Sequence, residues 1–159
     1  MQIKENFYIQ SCEGNPHHEA FYGVVCIYAL LERRISEFLK TYDLSPVKFN
    51  TLMLVKHKGG KEGLSQNEIS QHLIVSPSNI TRLLDRLTKD GLIERCAHAS
   101  DRRVNLIKIT KKASQILDKA WPSYSQSVKD MTALLPAQEV KNMSKLLLKW
   151  FAQLENYGH

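Results

Sequence analysis

The sequence predicts a mainly α-helical fold with one small β-hairpin, an α+β arrangement. Three observations lead to this fold class. Apolar residues recur every three or four positions towards both ends of the 159-residue chain, the spacing of an amphipathic helix. Two short helical segments with clear start signals follow one another in the middle of the chain. Two short, β-branched runs separated by six residues come directly after them, as in a hairpin.

The first helical segments are marked by their ends as well as their spacing. Apolar positions spaced by three and four predict one long helix from Pro16 to Tyr42. Ser45 suits an N-cap and Pro46 the first position of a second helix, which runs through Val55. We expect a loop over Lys58–Gly63, because three glycines in five residues oppose a helix.

Two more helix starts lie close together in the middle of the chain. The segment Ser65-Gln66-Asn67-Glu68 has the pattern of a capping box and predicts a short helix after it. Ser76 and Pro77 then give an N-cap and a first-turn proline for a helix over Ser78–Lys89. That helix is amphipathic, with an apolar stripe of Ile80, Leu83, Leu84 and Leu87.

After Gly91 the hydrophobic period changes from that of a helix to that of strands. Leu92–Ala97 and Val104–Ile109 predict a β-hairpin, and the tip between them, His98–Arg103, is polar and basic. Beyond the hairpin, Thr110 suits the N-cap of another helix. Within that helix Pro122 predicts a bend or an interruption, and Pro136 opens the last helix.

These elements in this order predict a winged helix-turn-helix. We expect residues 46–109 to form a DNA-binding lobe, with residues 1–45 and 110–159 forming a helical dimerisation region. The apolar stripes of the terminal helices are too long for a lobe of about 64 residues to cover. The sequence therefore predicts that they pack on a second copy of the chain.

Composition and charge narrow the class of protein further. Hydrophobic residues make up 43% and charged residues 24% of the chain, as in globular proteins. We found neither a membrane-length apolar run nor a secretory signal, and the three cysteines lack zinc-like spacing. We expect a soluble, cytoplasmic protein without metal, other cofactor or membrane partner. The sequence contains no Gly-rich phosphate loop and no recognisable nucleophile motif. We therefore do not expect an enzyme.

The formal net charge is +6, and residues 61–112 contribute most of it, with ten basic and six acidic side chains. A basic balance favours a polyanionic partner, although a solvated basic face is the alternative on charge alone. A helix in the major groove reads base edges with its N-terminal residues, and a protruding arginine fits the narrow minor groove. The predicted DNA-binding residues are Ser65, Gln66, Ser76, Pro77, Ser78, Asn79, Thr81, Arg82, Arg86, Arg102 and Arg103.

Asp101 would be repelled by phosphate, so we interpret it as an ion-pair partner that orients an arginine of the wing tip. An ordinary Asp–Arg turn in water is the other interpretation. Double-stranded DNA is the predicted partner of the lobe. The alternative is a winged-helix module that binds proteins without specific DNA binding, although such modules tend to lack a basic wing tip.

The segment from Leu73 to Ile109, with Thr81-Arg82-Leu83-Leu84-Asp85-Arg86-Leu87 and Asp101-Arg102-Arg103, resembles the signature of the MarR family of bacterial transcription regulators. The resemblance covers nearly the whole chain. It implies an obligate homodimer with interlocking terminal helices. It also implies binding to a pseudo-palindromic operator, usually as a repressor released by a ligand or an oxidant.

Three signals relate to what such a regulator would sense. One branch of the family senses organic hydroperoxides through an N-terminal cysteine, which makes Cys12 a candidate redox sensor, although thiol reactivity needs a lowered pKa and access. His17-His18-Glu19 is a poor metal chelate, because adjacent histidines point to different sides of a helix. The resemblance also suggests a pocket for a small aromatic or lipophilic ligand between the first helix and the lobe.

Overall fold

The fold is mainly helical with a small antiparallel sheet, as the sequence predicts. A computed structural model describes residues 14–73, 77–97 and 105–157, with only the backbone described at Pro77 and Ser78. In chain order the elements are α1 (Pro16–Lys40), α2 (Pro46–Leu54), a π-helical turn (Val55–Gly59), β1 (Leu64–Ser65), α3 (Gln66–His72), α4 (Pro77–Lys89), β2 (Ile93–Ala97), β3 (Asn105–Ile109), α5 (Lys111–Thr132) and α6 (Ala137–Glu155).

The chain divides between Ala120 and Trp121 into two compact units. The described core lies in the first unit, between Leu39 and Ala120. Its fully enclosed side chains include Phe49, Leu52, Val55, Ile69, Ile80, Leu84, Leu87, Ile107 and Leu117. The second unit contains α6, in which no described residue is buried. Within the described residues, no helix is both long and apolar enough to cross a membrane.

The helix starts follow the predicted capping residues. The Ser45 side chain accepts a hydrogen bond from the backbone N–H of Lys48, which begins α2. The Thr110 hydroxyl accepts one from the N–H of Ala113 and so caps α5. Pro136 is the N-cap residue of α6. The Ser45 and Thr110 side chains satisfy backbone N–H groups that have no partner inside the helix, whereas Pro136 makes no side-chain cap hydrogen bond.

The loop predicted over Lys58–Gly63 starts later in the structure than in the prediction. Helical structure continues past α2 as a π-helical turn that includes Lys58 and Gly59, and the chain leaves it at Gly60. Lys56 in this turn donates to the carboxylate of Asp118 and to the backbone carbonyl of Ser114 on α5. The buried side of the turn and these long-range contacts stabilise a conformation that local glycine content opposes.

The sheet has one strand more than the predicted hairpin. Its order is β1-β3-β2, with both pairs antiparallel. In β1, Leu64 pairs with Ile107 and Ser65 with Leu106. A strand of two residues carries no readable alternation, which is why the sequence did not reveal it. Its consequence is that α3 begins directly from the edge of the sheet.

Pro122 lies inside α5, which continues through it, so the predicted interruption does not occur. Proline removes the hydrogen bond to the carbonyl four residues earlier, which belongs to Asp118. The rings of Trp121 and Tyr124, on either side of Pro122, stack with their centroids 5.8 Å apart. The two rings therefore pack against each other at the position where proline is unfavourable in the helix interior.

Candidate nucleic-acid interface

The capping box at the start of α3 forms as predicted. The Ser65 hydroxyl accepts from the N–H of Glu68, and the Glu68 carboxylate accepts from the Ser65 N–H at 2.8 Å. This backbone hydrogen bond, with a second from the Ser65 hydroxyl, lowers the pKa of Glu68 below its usual value. The Ser65 side chain therefore caps the start of α3, and it is only partly exposed.

Helix α4 is fixed to the lobe by one side and leaves the other open. Ile80, Leu84 and Leu87 are fully buried, and Leu83 is nearly so. Burying such side chains contributes about 1.5–3 kcal/mol each. Asn79, Thr81, Arg82 and Arg86 all lie on the exposed side. The helix that was predicted to read bases therefore presents these four residues to solvent.

The exposed side of α4 has two flanks. On one flank an open depression of about 320 Å³ is lined by Val47 of α2 and by Asn79, Arg82, Leu83 and Arg86 of α4. In the described chain, neither Arg82 nor Arg86 makes an ion pair. Both guanidinium groups are thus available to phosphates or to guanine edges, the acceptors that arginine binds best.

On the other flank, α4 contacts the start of α3. The Gln66 side-chain amide donates to the Thr81 hydroxyl at 2.9 Å. Both residues were predicted to bind DNA, and the structure brings them together at the surface. Because the two side chains are hydrogen-bonded to each other, each is oriented by a contact within the protein as well as by solvent.

The same flank carries a contact that the sequence analysis missed. Arg95 on β2 forms an ion pair with Asp85 on α4, with 2.6 Å between Arg95 Nη2 and Asp85 Oδ1. A strand residue ten positions away has no periodic relationship to the helix, so no sequence pattern indicates it. The only available signal was the presence of one aspartate on an otherwise basic helix face.

The C-terminal end of α4 is also tied to its neighbours. Lys48 on α2 forms an ion pair with Asp90 at 2.7 Å, and Lys112 on α5 donates to the Asp90 backbone carbonyl. The hydrogen bond from Lys48 lowers the pKa of Asp90 below its usual value. Two lysines from flanking helices therefore hold the end of α4, where a cation is favourable to the helix dipole.

Several of the predicted site residues lie outside the residues that the structure describes. These are Ser76, the wing-tip residues Asp101, Arg102 and Arg103, and the candidate redox residue Cys12. The helix start at Pro77 is described but the side chains of Pro77 and Ser78 are not. His17, His18 and Glu19 form the exposed first turn of α1. Within the described residues, no group of three or more histidines, cysteines or carboxylates is placed to hold a metal.

Comparisons with known proteins agree with this architecture. A model described as MarR family matches residues 42–104. The regulator MhqR of Bacillus subtilis is 26% identical over 120 residues, which are 76% of this chain and 81% of MhqR.

Solved structures share the fold. MepR of S. aureus, solved as a DNA complex, has a TM-score of 0.76 at 21% identity and covers 83% of this chain and 96% of its own. The organohalide-sensing regulator RdhR, solved with 2,4-dichlorophenol, has a TM-score of 0.81 at 21% identity and covers 96% and 89%. With the motifs on α3 and α4 and the winged sheet, these matches show that the chain is similar to the MarR family of winged-helix transcription regulators.

Proposed function

We propose that the protein is a transcriptional regulator that binds a specific double-stranded DNA operator through α4. The observation that carries this proposal is the open side of α4, on which Asn79, Arg82 and Arg86 are exposed while a fully buried stripe fixes the helix. A rigid helix with free guanidinium groups fits the major groove. The MepR complex with DNA supports the same use of this fold.

The test compares an operator, selected from genomic fragments, with a scrambled duplex of equal length at one salt concentration. Arg82→Ala should cost about 1–3 kcal/mol on the operator and relax the preference at a few base pairs. Lys119→Ala, which also removes one exposed cation, is the control and should not relax that preference. Equal binding to both duplexes by the unmodified protein would favour the protein-interaction module instead.

The wing is proposed to contact the minor groove through Arg102 and Arg103, with Asp101 orienting one guanidinium. Arg103→Ala should weaken the binding of operator and scrambled DNA together, because groove width and charge are read rather than base edges. Asp101→Ala should also weaken binding, although it removes a negative charge, because the arginine becomes mobile. Tighter binding by that variant would refute the orienting role.

We propose that the DNA-binding form is a homodimer. Large apolar side chains are exposed on α1, among them Phe21, Ile27 and Tyr28, and on α6, among them Leu146, Leu147 and Phe151. A second copy would cover them, since a monomer rarely leaves so many large apolar side chains of one helix in water. Ultracentrifugation at micromolar concentration should report twice 18.3 kDa. A folded 18.3 kDa species would refute the dimer.

We further propose that the protein is a bacterial cytoplasmic repressor released by a small aromatic or lipophilic ligand or by an oxidant. RdhR with 2,4-dichlorophenol provides the support for a phenolic ligand. The test is anisotropy of the operator complex during titration with that phenol and, separately, with an organic hydroperoxide. Release by hydroperoxide that Cys12→Ser abolishes would assign the oxidant response to Cys12.

A further inference from the structure

The flank of α4 that contacts its neighbours is chemically different from the flank that is open. Thr81 and Asp85 are four residues apart, so they lie one helical turn apart on one side. Thr81 accepts from Gln66 at the start of α3, and Asp85 pairs with Arg95 on β2. Asn79, Arg82 and Arg86 line the opposite flank.

Both anchoring residues come from well-fixed parts of the lobe. Gln66 is the first residue of α3, whose start is held by the capping box and by the pairing of Ser65 with Leu106. Arg95 pairs with Ile107 inside the sheet, and Ile107 is buried. Two contacts on one side of a helix resist its rotation about its own axis better than one, because the resistance of each adds to that of the other.

Asp85 supplies a second reason to assign a role to these contacts. A carboxylate on the side of a helix that approaches DNA repels phosphate, and neutral side chains of similar size would avoid that cost. Its ion pair with Arg95 offsets the charge and at the same time joins α4 to the strand that leads to the wing tip.

We propose that Gln66 and Arg95 are positioning residues that set the rotation of α4 about its axis, and with it the direction in which Asn79 and Arg82 point. Thr81 and Asp85 are the attachment points on α4 rather than base-reading groups. This inference rests on the proposed DNA-binding function and concerns how the operator is distinguished from other sequences, not whether DNA is bound.

The experiment measures the ratio of operator affinity to scrambled-duplex affinity for Asp85→Asn, Arg95→Gln and the double variant. Asp85→Asn removes a negative charge, so its scrambled-duplex affinity should hold or rise while the affinity ratio falls about fivefold, the upper end of an exposed ion pair's strength. Arg95→Gln should lower the ratio equally. The double variant should be no worse than either single variant, because one shared contact is lost.

Four further single variants and one double variant separate positioning from charge and from folding. Arg95→Lys keeps the charge and should retain more of the ratio than Arg95→Gln. Glu94→Gln, at an exposed carboxylate of the same strand, should change both affinities equally and leave the ratio unchanged. Gln66→Ala, Thr81→Val and their combination should each lower the ratio about two- to tenfold, the range of one hydrogen bond, without adding to one another.

An unchanged ratio in Asp85→Asn, or losses that multiply in the double variants, would overturn the inference. Circular dichroism and thermal unfolding of each variant confirm that the compared proteins are folded. If the unmodified protein itself prefers neither duplex, the proposed function fails. If it discriminates and Asp85→Asn discriminates equally well, only the positioning role fails.

Discussion

Gly63 permits the close approach of β1 to β3, and its replacement by alanine tests that arrangement. Its φ is +88°, in the left-handed region, and an added Cβ would lie 2.8 Å from the carbonyl oxygen of Ile107 and 2.9 Å from Cγ of Lys108. The lysine side chain can move, whereas the carbonyl belongs to the backbone of the central strand. We therefore expect Gly63→Ala to separate β1 from β3.

The magnitude follows from two contributions. A non-glycine residue in the left-handed conformation costs about 1–2 kcal/mol, and displacement of a sheet backbone adds about 1–3 kcal/mol. Gly91→Ala is the matched control, because Gly91 has a φ of +68° but no atom within 4 Å of the added Cβ. The control should lose only the first contribution.

Urea unfolding followed by circular dichroism, at one protein concentration, measures both variants. The free energy of unfolding should be lower in Gly63→Ala than in Gly91→Ala by at least about 1 kcal/mol. Operator affinity should fall further in Gly63→Ala than in Gly91→Ala, because β1 contains Ser65 and leads directly into Gln66. Equal unfolding free energies in the two variants would refute the steric reasoning.

Three other outcomes follow from the structure. Ser65→Ala should lower the unfolding free energy by about 1 kcal/mol in urea melts, whereas Ser70→Ala in the same helix should cost less. The pKa of Asp90 is lowered in the folded state. Its contribution to the free energy of unfolding is therefore present above pH 3.8 and is lost as the pH falls through the pKa of the folded state. Lys48→Met should weaken this acid dependence in melts recorded against pH. The logarithm of operator affinity should fall steeply with the logarithm of salt concentration, as expected for about 6–10 phosphate contacts. Arg86→Ala should reduce that slope by about 2, because each copy in the dimer loses one contact.

Local signals in the sequence account for most of the helix boundaries. The capping box at Ser65, the caps at Ser45 and Thr110 and the apolar stripe of α4 all act over three or four residues, so they are visible in the sequence itself. They place α3 and α4 next to each other in the chain and give α4 one buried side. The fold class and the exposed position of Arg82 follow from these signals.

The contacts between elements could not be predicted in the same way. The Gln66–Thr81 and Asp85–Arg95 contacts join residues 15 and 10 positions apart, and no periodic pattern links them. The π-helical turn is another case, because Lys56 reaches α5 and Lys58 contacts His72 at the end of α3. Such structure depends on partners that are near only after the lobe has folded.

The charges around α4 show why contacts between elements, which the sequence does not reveal, matter for function. Counting side chains gives residues 61–112 a moderate positive balance, but the field at α4 depends on which carboxylates are neutralised. Asp85 and Asp90 are both paired with basic residues from other elements, and Glu68 is occupied by the capping box. Arg82 and Arg86 make no ion pair within the described chain. The positive field on α4 is therefore created by tertiary pairing as much as by composition, and a substitution at Lys48 or Arg95 should alter it by releasing a carboxylate.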